Sequence, residues 1–418
     1  MRDHQGVIAV VEAQLSQQGI IWPTIAAELG HRVVFLTNDP ARYKKLPNFS
    51  AALERDDVDI CVADTNSAEG VVAALMRLRE KGALRAVYTQ CDYNVAITAE
   101  AAVALGLPGL SPSAARKARN KLLARNAYRE HGVPSPAFAH ATTGEEAEQS
   151  ARRVGLPCVV KPMTESASTD VALCWTVRDV LDRFAFITSQ PLDRRGQHRT
   201  PGILVEEYCQ GYEVSVETVT TADETKVLGV IDKSLGPHPY FTEIGDVFPS
   251  CLPDQVTTEL VAVARAGLAA IGHDFGAAHT EIRMTADGPR LIEINARLCG
   301  AELPDLLQSA LGIRLRHEVL GMHAGQEPDL TPRSRRGAAV RRFTAPASGA
   351  LRAINGEAQA RIGPGVAALA FDVKPGDIIA RAVSNHEVLG HVRTVADTPA
   401  EAQRMADAAF STISFEIG

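Results

Sequence analysis

The chain has 418 residues, of which 45% are hydrophobic and 22% are charged, a composition typical of folded globular proteins. This length exceeds what one hydrophobic core normally organises, so we expect two to four domains. A net charge of −7 argues against a nucleic-acid partner, and no apolar run is long enough to span a membrane.

The expected compartment follows from the N-terminus and the cysteines. The first residues, MRDHQG, lack the apolar core of a signal peptide. The seven cysteines are scattered and never form a C-x-x-C pair, so neither a disulfide framework nor a zinc site is expected. These features predict a cytoplasmic protein with reduced thiols.

Strands and helices alternate along the first 110 residues. Apolar runs predict buried strands at 7–11, 33–36, 58–62 and 84–89. Helices are predicted over 19–29, from Ser67 to a stop at Gly82, and after the fourth strand up to Gly106. The alternation indicates a doubly wound α/β domain. The loop after the first strand lacks G-x-G-x-x-G, so it does not favour a dinucleotide, although it can line a ligand cleft.

A second group of elements begins at Ser111 and Pro112, which have the pattern of a helix N-terminus. One basic helix is predicted from there to Gly132, with Lys121 near its middle, and a capped helix is predicted over 143–154. The sequence CVVKP then predicts a short buried strand that ends at Lys161. Because lysine is rarely buried without a partner, Lys161 either reaches solvent or meets an anion.

The stretch from Thr164 to Asp170 contains small and hydroxyl residues, including Ser166 and Ser168. Such residues let backbone N–H groups approach a phosphate, although an ordinary loop has the same composition. Residues 203–217 predict a strand, a kink and a second strand. The kink exposes backbone groups that can bond an adenine ring, and Glu213 can accept ribose hydroxyls. A surface hairpin is the alternative interpretation.

Residues 231–252 are rich in glycine, proline and aromatic residues, and they predict a long irregular loop that faces a ligand. A helix is predicted from there to Ile271. After residue 300, the sequence predicts one amphipathic helix over 304–321, a polar linker over 331–337, and short strands with a capped helix, Thr398 to Phe410, over 338–418.

A β-hairpin is predicted around residues 285–288, which separate two runs of alternating apolar residues. A three-residue loop there places Glu281 opposite Glu293, and Asn295 shares the face of Glu293. Directly opposed carboxylates destabilise a sheet, so the arrangement invites a cation. Two carboxylates and an amide oxygen suit Mg²⁺, whose other ligands are usually waters and phosphate oxygens. An exposed hairpin with solvated acids is the alternative.

Taken in order, these elements resemble the ATP-grasp superfamily. The resemblance rests on the α/β domain, Lys121, the VVKP lysine, the small-residue loop, EEYCQGYE and the E…E-x-N hairpin, and it covers nearly the whole chain. It implies an ATP-grasp fold that is α/β overall and α+β in the grasp part. The implied divisions are a Rossmann-like pre-ATP-grasp domain (1–112), a small lid subdomain (113–200), a large subdomain (201–330) and a C-terminal β-rich module (331–418).

The same resemblance assigns site residues. It implies nucleotide phosphate contacts from Lys121 and Lys161, phosphate contacts from the loop of Ser166 and Ser168, and Mg²⁺ ligation, with Mn²⁺ as an alternative ion. The residues implied for adenine are Glu206, Glu207 and Cys209, and the residue implied for ribose is Glu213. The implied metal ligands are Glu281, Glu293 and Asn295. Many family members have glycine in the phosphate loop, whereas residues 164–170 have none.

Within the superfamily, three stretches resemble the bacterial L-amino-acid ligases: VVFLTNDPARY, EINARLCGAE, and RRFTAPASG with SNHEVLGHV. This resemblance implies ATP-dependent joining of a small-molecule carboxylate to an amine through an acyl phosphate. Arg297 is then expected beside the transferring phosphate and acyl group, in a catalytic role together with Lys161. His238 and Glu243 are expected to face the amino-acid pocket. A homodimer is expected by analogy with related ligases.

The general base that deprotonates the amine stays open among His238, His273 and Glu243. Two other functions also stay open. One is a carboxylating or formyl-transferring ATP-grasp enzyme of purine type, and the other is a non-catalytic nucleotide-binding protein.

Overall fold

The computed structural model describes residues 6–16, 18–46, 48–79 and 83–418. The predicted helix stop at Gly82 and most of the N-terminal MRDHQG segment lie outside these ranges. Among the helices of the described chain, none combines the length and hydrophobicity that a bilayer crossing needs.

The N-terminal region is a doubly wound α/β unit, as predicted. Its four strands are all parallel, in the order β3-β2-β1-β4. The elements are β1 (Val7–Val11), α1 (Trp22–Glu28), β2 (Arg32–Thr37), α2 (Phe49–Leu53), β3 (Val58–Val62), α3 (Ala68–Arg79), β4 (Leu84–Tyr88) and α4 (Val95–Leu105). A 3₁₀ turn, Asp92–Asn94, lies beyond the carboxyl end of β4 and brings side chains toward the rest of the chain.

A small antiparallel sheet in the order β5-β8-β6-β7 follows. Its region contains α5 (Pro112–Arg119), α6 (Lys121–Glu130), β5 (Phe138–Ala141), α7 (Gly144–Val154), β6 (Cys158–Lys161), β7 (Ala172–Cys174), α8 (Val177–Thr188) and β8 (Ile203–Glu207). The prediction of one continuous basic helix was wrong. Asn120 is extended, and its side chain accepts from the N–H groups of Leu122 and Leu123, which starts a new helix. Lys121 is therefore the first residue of α6 rather than a mid-helix residue.

The largest sheet has eight strands and joins two regions of the chain. Its first part contains β9 (Gly211–Thr220), β10 (Thr225–Leu235), β11 (Glu243–Phe248), α9 (Asp254–Ile271), β12 (Gly276–Thr285), β13 (Gly288–Asn295), α10 (Leu303–Leu311) and α11 (Leu315–His323). The prediction of an irregular loop over 231–252 was wrong for half of its length, because β10 and β11 occupy 231–235 and 243–248 and pair with each other. The predicted helix over 304–321 is likewise two helices, separated where Gly312 adopts a left-handed conformation.

The C-terminal region continues this sheet. Its elements are β14 (Gly337–Thr344), β15 (Gly349–Asn355), α12 (Glu357–Arg361), β16 (Val366–Phe371), β17 (Ile378–Ile379), β18 (Val388–Ala396), α13 (Pro399–Ser411) and β19 (Ser414–Ile417). The strand order β13-β12-β9-β10-β11-β14-β18-β16 runs past residue 331, and β17-β15-β19 form a separate small sheet. The C-terminal strands are thus joined by backbone hydrogen bonds to the sheet that carries the predicted site.

The predicted hairpin is formed by β12 and β13, and Glu281 lies opposite Glu293. The predicted loop length was wrong, because Thr285 pairs directly with Gly288 and leaves a two-residue loop. A bulge between Glu281 and Ile282 shifts the register by one residue and restores the opposition of the two acids. The pairing was therefore predicted correctly by way of an incorrect loop.

Candidate active site

A buried lysine on β10 gathers three carboxylates. The Lys233 Nζ lies 3.3 Å from Glu213, 3.0 Å from Glu243 and 2.8 Å from Glu281. These acids come from β9, β11 and β12, and strand pairing within one sheet places them around a single point. One ammonium therefore contacts three carboxylates that were predicted to have different roles. Glu213 was predicted for ribose, Glu243 for the amino-acid pocket and Glu281 for the metal.

The charges in this cluster hold one another ionised. Burial opposes ionisation of Glu281, but Lys233 and His279 outweigh that effect and hold the pKa of Glu281 well below its ordinary value. His279 lies between Glu217, at 2.6 Å, and Glu281, at 3.2 Å. Although burial favours the neutral ring, these carboxylates raise the pKa of His279 to about 10. Glu281 is therefore a permanent carboxylate near neutral pH.

The other two predicted metal ligands face a neighbouring cleft. Glu293 and Asn295 line it together with Asp92 and Arg119. The Lys121 Nζ lies 3.1 Å from Glu293 and donates to the Glu165 carbonyl at 2.8 Å. Within the described residues, no group of three or more His, Cys, Asp and Glu side chains is already gathered as a metal site. Protein cations instead neutralise Glu281 and Glu293 separately.

Lys161 meets an anion of the protein itself. Its Nζ lies 2.6 Å from Glu206, whose other carboxylate oxygen lies 2.7 Å from Arg125. Burial opposes the charge of Glu206, but Arg125 and Lys161 overcome it and lower the pKa of Glu206. The ion pair with Glu206 therefore fixes the Lys161 ammonium at the end of β6.

The strand–kink–strand at 203–217 contains the predicted adenine and ribose residues. The N–H of Glu207 donates to the Ala137 carbonyl at 2.8 Å, so this donor is already used by the small sheet. The carbonyl of Cys209 accepts from Arg283 at 3.2 Å, and the same arginine donates to Glu213 at 2.9 Å. Arg283 thus links the kink to the acid cluster.

The glycine-free loop, residues 164–170, contacts several parts of the chain. Ser166 donates to Asp92 at 2.6 Å, and Ser168 donates to the Phe241 carbonyl at 3.0 Å. Asp92 also accepts from Arg297 in a bidentate pair, at 2.7 and 3.0 Å. Burial opposes the charge of Asp92, but Arg297 outweighs it and lowers the pKa of Asp92. Loop and arginine therefore share one carboxylate of the N-terminal unit.

The two predicted histidines differ in exposure and in position. His238 is exposed and lies 3.0 Å from the Tyr208 hydroxyl. His273 lies at the opposite end of β9, where it contacts Thr220 at 3.2 Å. Burial lowers the pKa of His273 to about 4. This position argues against His273 as the base and leaves His238 and Glu243 as the candidates.

Sequence reasoning missed Lys233 and Asp92. Lys233 is a lysine within the apolar strand VLGVIDKSL, so the argument that singled out Lys161 applies to it equally. Asp92 follows the carboxyl end of β4, which is where open α/β sheets bind ligands. Both signals were present in the sequence.

Three family models match the chain in succession. They are the ATP-grasp N-terminal domain over residues 24–109, the ATP-grasp domain over 154–305, and L-amino acid ligase C-terminal domain 2 over 341–418. The uncharacterized protein y4rH of Sinorhizobium fredii (strain NBRC 101917 / NGR234) is 30% identical over 387 residues, which cover 92% of this chain and 77% of y4rH. The chain belongs to the ATP-grasp superfamily.

This ATP-grasp chain is also similar to ligases. The alanine–anticapsin ligase of Bacillus subtilis (strain 168) is 26% identical over 316 residues, covering 71% of the chain and 66% of that ligase. The crystal structure of an L-amino acid ligase from Bacillus licheniformis superposes with a TM-score of 0.82 at 21% identity and covers 100% of both chains. The predicted ATP-grasp fold with its N-terminal α/β unit and C-terminal module is confirmed.

The donor set of this ATP-grasp chain fits Mg²⁺. Glu281 and Glu293 are direct cross-strand partners and so share a face, and Glu293 and Asn295 line one cleft. All three offer the hard oxygen atoms that Mg²⁺ prefers. The cations that now neutralise the acids, Lys121 and Lys233, lie where the positive charge of a metal is needed.

Proposed function

We propose that the chain is an ATP-dependent carboxylate–amine ligase that forms an amide or peptide bond, with an amino acid as one substrate. The reaction passes through an acyl phosphate and releases ADP and phosphate. The substrates are small molecules. A cytoplasmic location and a homodimer stay predictions from the sequence.

The observation that carries this proposal is the excess of carboxylates around Lys233. Three acids meet one ammonium, and Arg283 binds one of them, Glu213. The other cations beside these acids are shared with further acids. His279 lies between Glu281 and Glu217, and Arg342 lies 3.9 Å from Glu243 and also pairs with Asp246 and Glu302. The remaining negative charge favours a divalent cation and the ammonium group of an amino acid. Bicarbonate and formate, the substrates of a purine-type carboxylating or formyl-transferring enzyme, have no cationic group that this charge could bind. The amino-acid ligase is therefore the better supported of the two enzymes.

The proposed first step is attack by a substrate carboxylate oxygen on the γ-phosphorus of ATP. An O–P bond forms, the bond to the β–γ bridging oxygen breaks, and ADP leaves. Lys121, Lys161 and Arg297 balance the charge of the phosphate and carboxylate groups that meet there. Bound Mg²⁺, or Mn²⁺, would supply further positive charge through Glu281, Glu293 and Asn295.

In the proposed second step, the amine nitrogen attacks the acyl carbon, the C–O bond to phosphate breaks, and the amine gives up a proton. Glu243 or His238 would accept that proton.

The nucleotide lies across the kink, with adenine at Glu206, Glu207 and Cys209, ribose at Glu213 and the phosphates under Ser166 and Ser168. A closed loop 164–170 keeps water from the acyl phosphate.

A coupled ADP-release screen tests the proposal. Pairs of amino acids and small carboxylates are offered with ATP and Mg²⁺, and products are identified by mass. We expect ADP, phosphate and an amide for at least one pair. ADP release that requires bicarbonate or formate would favour the carboxylating or formyl-transferring enzyme. Nucleotide binding without turnover of any pair would favour the non-catalytic protein.

A further inference from the structure

One residue of the C-terminal module contacts both the phosphate loop and the strand of the acid cluster. The N–H of Asn385 donates to the Ala167 carbonyl at 3.1 Å. Its side-chain Oδ1 accepts from the N–H of Glu243 at 2.8 Å, across 142 residues of sequence. A single asparagine thus links three segments that are distant in the chain.

The Asn385 side chain accepts a hydrogen bond from the backbone N–H of Glu243, which has no partner within the sheet on that side. Strand β11 pairs with β14 from Gly245, which lies opposite Arg341, to Phe248. Glu243 therefore lies beyond the last pair on that side, where a partly buried N–H needs another acceptor. The Asn385 amide oxygen supplies it, and it fixes the backbone from which the Glu243 carboxylate reaches Lys233.

The turn that carries Asn385 is itself rigid. Ser384 and Glu387 form a capping box, in which Glu387 accepts from the Ser384 N–H at 2.9 Å and from its hydroxyl at 2.8 Å. Ser384 also accepts from the His386 N–H at 3.3 Å. A side chain held on such a turn can set the position of its partners to within a fraction of an ångström.

We infer that Asn385 is a positioning residue that couples closure of loop 164–170 to the placement of Glu243. Its backbone acts on the loop and its side chain acts on the acid. The inference rests on the proposed function, because Glu243 is taken there to face the amino group of the substrate. It gives the C-terminal module a part in the reaction without direct contact with the reacting atoms.

Two substitutions separate the two contacts. Asn385→Ala removes the side-chain acceptor and keeps the N–H. Asn385→Pro removes both. We expect the backbone to accept it, because Ser384 is extended, at φ −154° and ψ −179°, and position 385 is the first residue of a helical turn, where proline is common. Asn385→Asp keeps an acceptor of the same shape. Asn355→Ala is the matched control, an exposed asparagine of the same module.

The first measurement needs no substrate. Hydrogen exchange of the ligand-free chain is followed in peptides that cover 164–171 and 243–248. We expect Asn385→Ala to speed exchange of the Glu243 amide about tenfold, the size of one lost hydrogen bond. Asn385→Pro should also speed exchange in 164–171, and Asn355→Ala should change neither peptide. Unchanged exchange in both peptides for Asn385→Pro would overturn the inference.

The second measurement uses an amino-acid pair found by the ADP-release screen. Asn385→Ala should raise KM for the amino acid about tenfold and leave KM for ATP unchanged, and Asn385→Asp should restore it. Asn385→Pro should in addition release more ADP per amide formed, because a loosened loop admits water. Equal losses for all substrates would indicate a merely structural role and overturn the inference. If no pair is turned over, the proposed function fails while the exchange result still decides the role of Asn385.

Discussion

The acid cluster and the phosphate loop hold their side chains by different means. Glu213, Glu243 and Glu281 stand on paired strands, where backbone register sets their spacing. Loop 164–170 has no strand to hold it, and Ala167, Ser168 and Asp170 adopt left-handed φ values of 57–61° without being glycine. Strand pairing fixes the positions of the acids on the sheet but brings like charges together. In the loop, the two acids, Glu165 and Asp170, are both paired with Arg199, and the cost is backbone strain instead.

Each region is stabilised by groups from other parts of the chain. The sheet needs a cation among its acids, and Lys233 provides it. The loop needs contacts from outside itself, and it receives them from Asp92 in the N-terminal unit, from Phe241 beside the sheet and from Asn385 in the C-terminal module. Substitutions in the sheet should therefore act through charge, and those in the loop through conformation.

The largest expected effect comes from removing the cation of the sheet. Lys233→Met keeps the length of the side chain but leaves three carboxylates without their common partner. We expect a loss of about 3–5 kcal/mol in the free energy of unfolding, measured by urea denaturation. Lys226→Met, on the same strand, is the control and should cost far less. Similar losses for both lysines would show that the charge cluster has no special part in stability.

The second effect separates activity from stability on the same sheet. Glu293→Gln keeps the shape of a proposed metal ligand and removes its charge. Turnover should fall about 10²- to 10³-fold, while the thermal unfolding midpoint stays near that of the unaltered chain. Glu224→Gln, at an exposed position in the same region, should keep full activity. Full activity of Glu293→Gln would remove the metal assignment.

The difference between the paired strands and the loop also determined what could be predicted from the sequence. Strand alternation placed Glu281 opposite Glu293 because side-chain direction on a strand depends on local periodicity. The four parallel N-terminal strands were predicted from their apolar runs. The caps at Ser111, Thr143 and Thr398 were predicted from residue type, because serine and threonine are common N-caps. The bulge after Glu281 was not predicted, because side-chain periodicity does not register an extra residue in a strand. The helix break at Asn120 was not predicted, although asparagine is a common N-cap, because helix-forming residues continue on both sides of it.

Contacts between distant segments were beyond reach from one sequence. Nothing in the composition of residues 164–170 indicates that Asp92 and Asn385 hold the loop. The Lys233 cluster was missed because residues 231–252 were taken as a loop, so the lysine was not recognised as buried in a strand. The contact between Glu281 and Glu293 within one hairpin was predictable, whereas contacts between elements that are distant in the chain were not.

A smaller effect is expected at the far end of the same sheet. Burial lowers the pKa of His273 to about 4, against an ordinary value of 6.5 and despite the nearby Asp274. The unfolded chain gains a proton below pH 6.5 and the folded chain only below about 4, so stability falls as pH decreases between these values. From pH 7.5 to pH 5 we expect a loss of about 2 kcal/mol from this group.

Urea denaturation of the His273→Gln variant at both pH values checks the sign and the size. The variant should lose that part of the pH dependence and keep its ligase activity at pH 7.5, because the ring lies away from the acid cluster. A variant with unaltered pH dependence would show that His273 is protonated in the folded chain. A large loss of activity would return His273 to the candidates for the base.

The smallest effect should come from relieving strain in the loop. Ala167 has a φ of 57°, which costs an L-residue about 1–2 kcal/mol. Ala167→Gly removes this cost but adds about 0.5–1 kcal/mol of unfolded-state entropy, so the net change in unfolding free energy should be near zero or slightly stabilising. Ala172→Gly, in the neighbouring strand β7 where no strain is present to relieve, should destabilise by about 1 kcal/mol. Urea denaturation of the two variants compares them directly. Equal destabilisation by the two substitutions would mean that the loop is not strained. Contacts from other segments would then not determine the shape of the loop, whereas strand pairing does determine the shape of the acid cluster.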